Sequence, residues 1–363
     1  MAAPALHLTV SVPVAIELMP GWHEQFQPQG PFVVLADPAA IDRGAQARWQ
    51  QAWGALCLDW VAQDHRVSSL DAAQTLAERI WPLLSPSNHI ALWAIGGGTT
   101  MDLGKLLRWR MPRLAQAQLA WRDNAVPEGS VRHSLWCSPT TAGTGSEVTP
   151  WATVWDLNGR PARKRSWYPP SGHPDRAWVD SQLTLGCPTA VLRDCALDAL
   201  SHALESLWNR QASQSSRPVA KQAARMILRA LPAALQSPQE AHWRDELAEA
   251  SLLAGLAMAQ TQTALAHALS YELTLSENIP HGQACAIWLP MTMALACRRS
   301  EQVCCDLQEV FDAPPGEAVR TLHEWLVSLG VAPRDLNDSP AGQILLLDAL
   351  NSDRGRNFVA QQA

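Results

Sequence analysis

An α/β amino-terminal half with a mainly parallel sheet, followed by an all-α carboxy-terminal half, is the fold class this 363-residue chain predicts. Residues 31–150 alternate short apolar runs with helical patterns, as an α/β domain with a mainly parallel sheet does. Past Pro188 the texture changes to Ala- and Leu-rich helical spacing with few β-branched runs. The length is large for one core and suits two domains, divided here as 1–185 and 186–363, with a cleft between them.

Taken in order, 31–36 is a buried strand stopped by a turn at Asp37-Pro38, and a helix follows over 39–54. Residues 56–61 read as a second strand, and 69–84 as a helix with Ser69 or Asp71 near its start. The next strand, 89–95, runs into Gly96-Gly97-Gly98-Thr99-Thr100 and a helix carrying Asp102 and Lys105. Strand, triple glycine and helix is the order that phosphate binding by main chain requires, because glycine admits the anion and a helix N-terminus offers free N–H groups. The spacing is not GxGxxG, and a plain tight turn uses glycine for the same reason. A strand at 135–138 leads into Pro139-Thr140-Thr141-Ala142-Gly143-Thr144-Gly145-Ser146-Glu147, whose backbone and hydroxyls can surround a polar ligand. Helices are then predicted at 189–211, 215–236, 240–271, 284–300, 316–330 and 340–350.

Composition narrows the function. With 47% hydrophobic and 17% charged residues the chain is of the soluble globular type. A net charge of −6 argues against nucleic-acid binding, and the short Arg163-Lys164-Arg165 run reads as a solvated turn. Eight cysteines without a CxxC pair read as reduced thiols of a cytoplasmic protein. Residues 1–14 lack the pattern of a signal peptide, and 251–271, interrupted by Gln260, Gln262 and His267, read as a buried helix rather than a membrane span. The seventeen tryptophans have no functional reading.

Chemistry concentrates after residue 194. Asp198 and His202 stand four apart, so on a helix both leave one face. His267 lies in an Ala/Leu helix and His281 in a Pro280-His281-Gly282 turn. One carboxylate with three imidazoles suits Fe²⁺ or Zn²⁺, although each residue alone is equally an ordinary helix contact or a satisfied core histidine.

The glycine stretch from Gly96 to Lys105, the Thr/Gly loop at 139–147, Asp198-Ala-Leu-Ser-His202-Ala-Leu-Glu205 and Ile279-Pro280-His281-Gly282, in this order, resemble the iron-containing (group III) alcohol dehydrogenase family. The resemblance implies a metal in the interdomain cleft held by Asp198, His202, His267 and His281, and a homodimer. It assigns Gly96, Gly97, Gly98 and Thr99 to the pyrophosphate of NAD(H), or of NADP(H), and Asp102, Thr140, Thr141 and Thr144 to the cofactor's surroundings. It further implies reduction of a small aldehyde to a primary alcohol. Family members commonly carry another histidine four residues after the position of His267; here that residue is Tyr271, the catalytic candidate for proton delivery. The Ser270-Tyr271-Glu-Leu-Thr run followed by Ile279-Pro280-His281-Gly282-Gln-Ala284-Cys285-Ala286 resembles the branch that reduces phosphonoacetaldehyde. An anionic substrate of that kind needs cations, for which Lys164, Arg165, Arg354 and Arg356 are candidates, the last two on a tail that is expected to fold over the site. Asp37, at a strand end, is expected to accept from a ribose diol and so to favour NADH over NADPH. A dehydrogenase for uncharged substrates, a lyase of the dehydroquinate synthase type and a non-catalytic relative stay open as alternatives.

Overall fold

The computed structural model describes residues 13–85, 89–160, 162–336 and 340–359. The first half contains β1 (Ala15–Leu18), α1 (Trp22–Gln25), β2 (Phe32–Ala36), α2 (Arg43–Trp53), β3 (Cys57–Ala62), α3 (Leu70–Ile80), β4 (Ala91–Gly96), α4 (Gly98–Leu107), β5 (Trp109–Arg110), α5 (Ala117–Arg122), β6 (Val131–Arg132), β7 (Leu135–Pro139), β8 (Ala152–Asp156), β9 (Arg163–Trp167) and β10 (Arg176–Val179). The second contains α6 (Thr189–Leu207), α7 (Ser216–Gln236), α8 (Ala241–Thr261), α9 (Leu265–Glu277), α10 (His281–Arg299), α11 (Glu301–Phe311), α12 (Pro315–Ser328) and α13 (Pro340–Asn351).

Six strands form a parallel sheet in the order β1-β10-β7-β4-β2-β3. β2 and β4 are buried along their whole length, which is why they read as unbroken apolar runs. From β2 the chain moves outward to β3 and then returns to β4 on the other flank of β2. Such a reversal leaves a crevice at the carboxyl ends of the two strands, where α/β sheets take their ligands. There the Asp37 N–H donates to the Ile95 carbonyl at 3.0 Å, so Asp37 is held beside the glycine turn.

Much of the tryptophan is core. Trp22, Trp49, Trp53, Trp60, Trp93 and Trp178 pack with Phe32 on one side of the sheet, against the half-buried Phe26 and Trp136. His23 is buried among them, its Nδ1 3.0 Å from Asp180 Oδ2. Large rings fill volume here.

Ser69 caps α3, accepting from the Ala72 N–H. Arg163-Lys164-Arg165 is not a turn but part of β9, paired antiparallel to β8, with Arg165 Nε 3.7 Å from Asp156 Oδ2. Asp156 of the partner strand pairs with Arg165, while Arg163 is exposed and Lys164 lies over the Tyr271 ring. The helix expected over 240–271 is two: Gln262 has φ +67°, and α9 starts afresh at Leu265. His281 opens α10 rather than lying in a turn, and α11 fills a stretch where no helix was expected. None of the eight cysteines is in a disulfide, and no described helix is long and apolar enough to cross a membrane.

Two glycine contacts press the Thr/Gly loop onto the helices. A Cβ on Gly145, whose φ is +62°, would lie 2.6 Å from Gly255 Cα on α8. One on Gly143 would lie 2.7 Å from Cys195 Cβ on α6. Gly145→Ala therefore combines a left-handed backbone with overpacking and should destabilise by about 1–3 kcal/mol in urea unfolding, whereas Gly186→Ala, which meets nothing within 4 Å, should be nearly neutral. Equal midpoints for the two variants would contradict this packing.

Candidate functional site

Helix α6 carries Asp198, His202 and Glu205, spaced four and three residues apart and buried on one face. Glu205 is the innermost. Its Oε2 accepts from the Ala264 N–H at 2.8 Å and its Oε1 from the Ala266 N–H at 2.6 Å, which satisfies the start of α9. His267 Nδ1 lies 2.6 Å from the same carboxylate. With Nδ1 turned to Glu205, Nε2 faces Asp198 Oδ1 at 3.4 Å, and a cation bound there would displace the proton that Nε2 otherwise holds.

The other donors come from α6 and α10. His202 Nε2 is 3.6 Å from Asp198 Oδ1, and its ring stacks on that of His267 with centroids 4.9 Å apart. His281 Nε2 is 4.0 Å from Asp198 Oδ1. It is brought there because α10 begins directly against α6: a Cβ on Gly282 would fall 1.9 Å from the Asp194 carbonyl oxygen. One turn along α10, Cys285 Sγ lies 3.9 Å from His281 Nε2. Asp198, His267, His281 and Cys285 each bring one donor atom within 4.8 Å of the others. His202 stands beside this tight group, against Asp198, rather than inside it.

Charge follows burial. Desolvation disfavours the Asp198 anion, but His202, His267 and His281 outweigh it and hold the carboxyl well below the usual range. Burial pushes His202 down to about 4 and, with Lys164 adding repulsion, takes His281 well below its ordinary value. Both rings are therefore neutral at neutral pH, with lone pairs free for a cation. For His267 burial also opposes protonation, yet Cys285, Glu205 and Asp198 together raise it well above the ordinary value.

Whether a metal fits can be judged from two atoms. Asp198 Oδ1 and His267 Nε2 are both buried and have no hydrogen-bond partner. Leaving such groups bare is costly, and a divalent cation between them and His281 removes the cost at both ends. The donor set of carboxylate and imidazoles suits Fe²⁺ or Zn²⁺.

At the crevice, Gly97 precedes the first turn of α4, and a Cβ on Gly98 would lie 2.7 Å from Thr144 Cγ2. Thr140 is buried, its N–H donating to the Gly96 carbonyl at 3.1 Å, whereas Thr141 and Thr144 are half-buried at the rim. The Thr99 hydroxyl donates to the Arg66 carbonyl at 3.4 Å. Asp37 is half-buried, and its Oδ1 accepts from the Ala39 N–H. A side-chain-free turn at a helix N-terminus, beside a carboxylate, fits the pyrophosphate and ribose of a dinucleotide. Asp102 is engaged elsewhere. It accepts from the Ser146 hydroxyl and the Thr153 N–H, both at 2.8 Å, while the buried Lys105 donates to Ser146 Oγ at 2.7 Å and to the Trp151 carbonyl at 2.6 Å. The pair ties α4 to the segment after the Thr/Gly loop.

Tyr271, on α9, lies over His281 with ring centroids 6.2 Å apart and planes 10° from parallel. Lys164 Nζ is 4.9 Å from the Tyr271 ring centre and the Arg354 guanidinium 5.3 Å. The tail folds back onto the joint between α8 and α9: Arg354 Nη1 donates to Thr263 Oγ1 at 2.7 Å and Asn357 Nδ2 to the Thr263 carbonyl at 2.9 Å. Of the four cationic candidates only Lys164 and Arg354 converge. Arg165 is turned to Asp156, and Arg356 pairs with Asp353.

Glu205 and Cys285 had no assigned role in the sequence reading. The spacing Asp198, His202, Glu205 and the four-residue step from His281 to Cys285 were the available signals.

Comparison with known proteins speaks to the family and the fold. Residues 20–181 match the iron-containing alcohol dehydrogenase family, and residues 193–338 match the C-terminal part of the Fe-containing alcohol dehydrogenase family. Phosphonoacetaldehyde reductase of Streptomyces viridochromogenes is 32% identical over 265 residues, covering 68% of this chain and 66% of that protein. The 1-propanol dehydrogenase PduQ of Salmonella typhimurium is 30% identical over 194 residues, covering 53% of this chain and 48% of that protein. The matched stretch thus spans less than two thirds of either relative's length. Among solved structures, sulfoacetaldehyde reductase from Bifidobacterium kashiwanohense in complex with NAD+ superposes with a TM-score of 0.84 at 22% identity, covering 98% of this chain and 96% of that one.

If Glu205 aims His267 Nε2, then Glu205→Gln, which keeps the shape and removes the charge, should weaken metal binding by about ten- to a hundredfold. Titration of the metal-stripped variant with zinc measures this, and an unchanged affinity would contradict it.

Proposed function

The chain belongs to the iron-containing alcohol dehydrogenase family, and from that premise we propose that it reduces an aldehyde bearing an anionic head group to the primary alcohol with NADH. Phosphonoacetaldehyde, giving 2-hydroxyethylphosphonate, is the substrate we assign. The observation that carries this reading is the convergence of Lys164 and Arg354 on Tyr271, against the ring of His281. Two cations beside a metal site, neither paired with an acidic side chain among the described residues, suit a phosphonate better than a small uncharged aldehyde. The names of the phosphonoacetaldehyde and sulfoacetaldehyde reductases lend support, since both describe aldehydes with an anionic head. The eight free cysteines support a reducing, cytoplasmic setting.

The aldehyde, a hydride and one proton make the alcohol. Asp198, His202, His267 and His281 would hold a divalent metal, which would supply Lewis-acid polarisation of the carbonyl, while a dihydronicotinamide would supply the hydride. Gly96, Gly97, Gly98 and the first N–H groups of α4 cradle the pyrophosphate, with Thr141 and Thr144 at its rim. Asp37 accepts from the ribose diol and repels a 2′-phosphate, which selects NADH. Lys164 and Arg354 hold the anionic head and so fix the aldehyde carbon with respect to the ligand rings. Tyr271, between those cations and His281, delivers the proton from its phenolic oxygen.

Lys164→Met and Arg354→Met should each lower kcat/KM for phosphonoacetaldehyde by about ten- to a hundredfold, the worth of one charged hydrogen bond, and leave propanal reduction nearly unchanged. Arg165→Ala and Arg356→Ala serve as controls without effect. A parent enzyme that prefers propanal would overturn the substrate assignment. Tyr271→Phe should cut turnover by about a hundredfold or more, as expected when a general acid is removed. An unaltered pH–rate profile in that variant would end the proton role.

A further inference from the structure

The thiol of Cys285 is the donor that the proposed metal chemistry does not use. It is fully buried, four residues after His281 on the same face of α10, and its Sγ stands 3.9 Å from Nε2 and 4.0 Å from Nδ1 of that histidine. It belongs to the tight group in which Asp198, His267 and His281 each place a donor atom within 4.8 Å of the others. Two of those donors, Asp198 Oδ1 and His267 Nε2, are buried without a hydrogen-bond partner and stand 3.4 Å apart. His202, by contrast, lies to the side of this group.

We propose that Cys285 is a metal ligand, binding as a thiolate to the ion that Asp198, His267 and His281 hold. The inference rests on the metal site proposed above. Coordination forms a metal–sulfur bond and breaks the S–H bond, the proton leaving to solvent or buffer, with no change in oxidation state. A thiolate is soft, whereas carboxylate and imidazole donors serve iron and zinc alike. Adding sulfur to such a set therefore biases it toward Zn²⁺, so that this chain prefers zinc over ferrous iron more strongly than its nitrogen and oxygen donors alone would dictate.

The test uses the full chain stripped of metal and titrated with Co²⁺, whose visible ligand-field bands report binding by any donor and whose near-ultraviolet charge-transfer absorption reports a thiolate. The parent is expected to bind one cobalt per chain with both signals. Cys285→Ser, which keeps the side chain's size, should retain the visible bands and lose the charge-transfer band, and Cys305→Ser, at an exposed position, should keep both. Competition between Zn²⁺ and Fe²⁺ under anaerobic conditions should favour zinc less in Cys285→Ser than in the parent. Should Cys285→Ser fail to fold, X-ray absorption of the zinc-loaded parent decides, with a sulfur expected at about 2.3 Å. Cobalt bound with its visible bands but no charge-transfer absorption in the parent would overturn the thiolate ligand and leave the metal site standing. Absence of any cobalt binding would overturn both.

Discussion

Burying the Glu205 carboxylate under the start of α9 is the interaction from which the rest of the site follows. A buried anion is expensive unless donors surround it, and here the N–H groups of Ala264 and Ala266 and the ring of His267 do so. Burial alone would push this carboxyl up, yet His267 and those N–H groups hold it below its ordinary range. The same contact ends one helix and begins another. α9 has to restart where its free N–H groups meet Glu205, and the chain turns at Gln262 to bring them there. With Nδ1 committed to Glu205, His267 turns its other nitrogen to Asp198. One residue thus sets a helix boundary and a ring orientation.

Close backbone approaches then bring the rest of the site into register with that pair. Gly282 lets α10 start against the Asp194 carbonyl, which delivers His281 and Cys285, and Gly143 lets the Thr/Gly loop lie on α6. Because Thr141 and Thr144 rim the glycine turn, the crevice at the end of β2 and β4 is held against the helices that carry the donors. Lys164 arrives on β9 and Arg354 on the tail, and both meet Tyr271. Three distant segments therefore share one ring, an arrangement that couples the site's mouth to folding of both halves.

The buried strands β2, β4 and β7 and the capped helix α3 were legible because their cues are local: apolar runs, a serine cap, a glycine stop. β1 was not, since Pro13 interrupts the apolar run that leads into it and the strand itself is only four residues long. Nor was the break at Gln262, where neither Gly nor Pro marks a turn; tertiary demand from Glu205 sets it. Arg163-Lys164-Arg165 read as solvated because its neutralising and stacking partners, Asp156 and Tyr271, come from other segments. Asp102 matched a family motif, yet its carboxylate is consumed by Ser146 and Thr153, contacts that spacing alone does not reveal. Asp198, His267 and His281 could be named from the chain but not shown to converge. Cys285 was read only as part of a motif, although its four-residue step from His281 puts both on one face of α10.

The central claim is that a divalent ion sits between α6, α9 and α10, and the most direct measurement is anomalous diffraction from crystals of protein grown with iron and zinc supplied. The account predicts one strong peak per chain, about 2.0–2.2 Å from Asp198 and the nearest ring nitrogens of His267 and His281, with His202 or Cys285 completing the set. A peak anywhere else, or metal-replete protein with no peak among these residues, would contradict it.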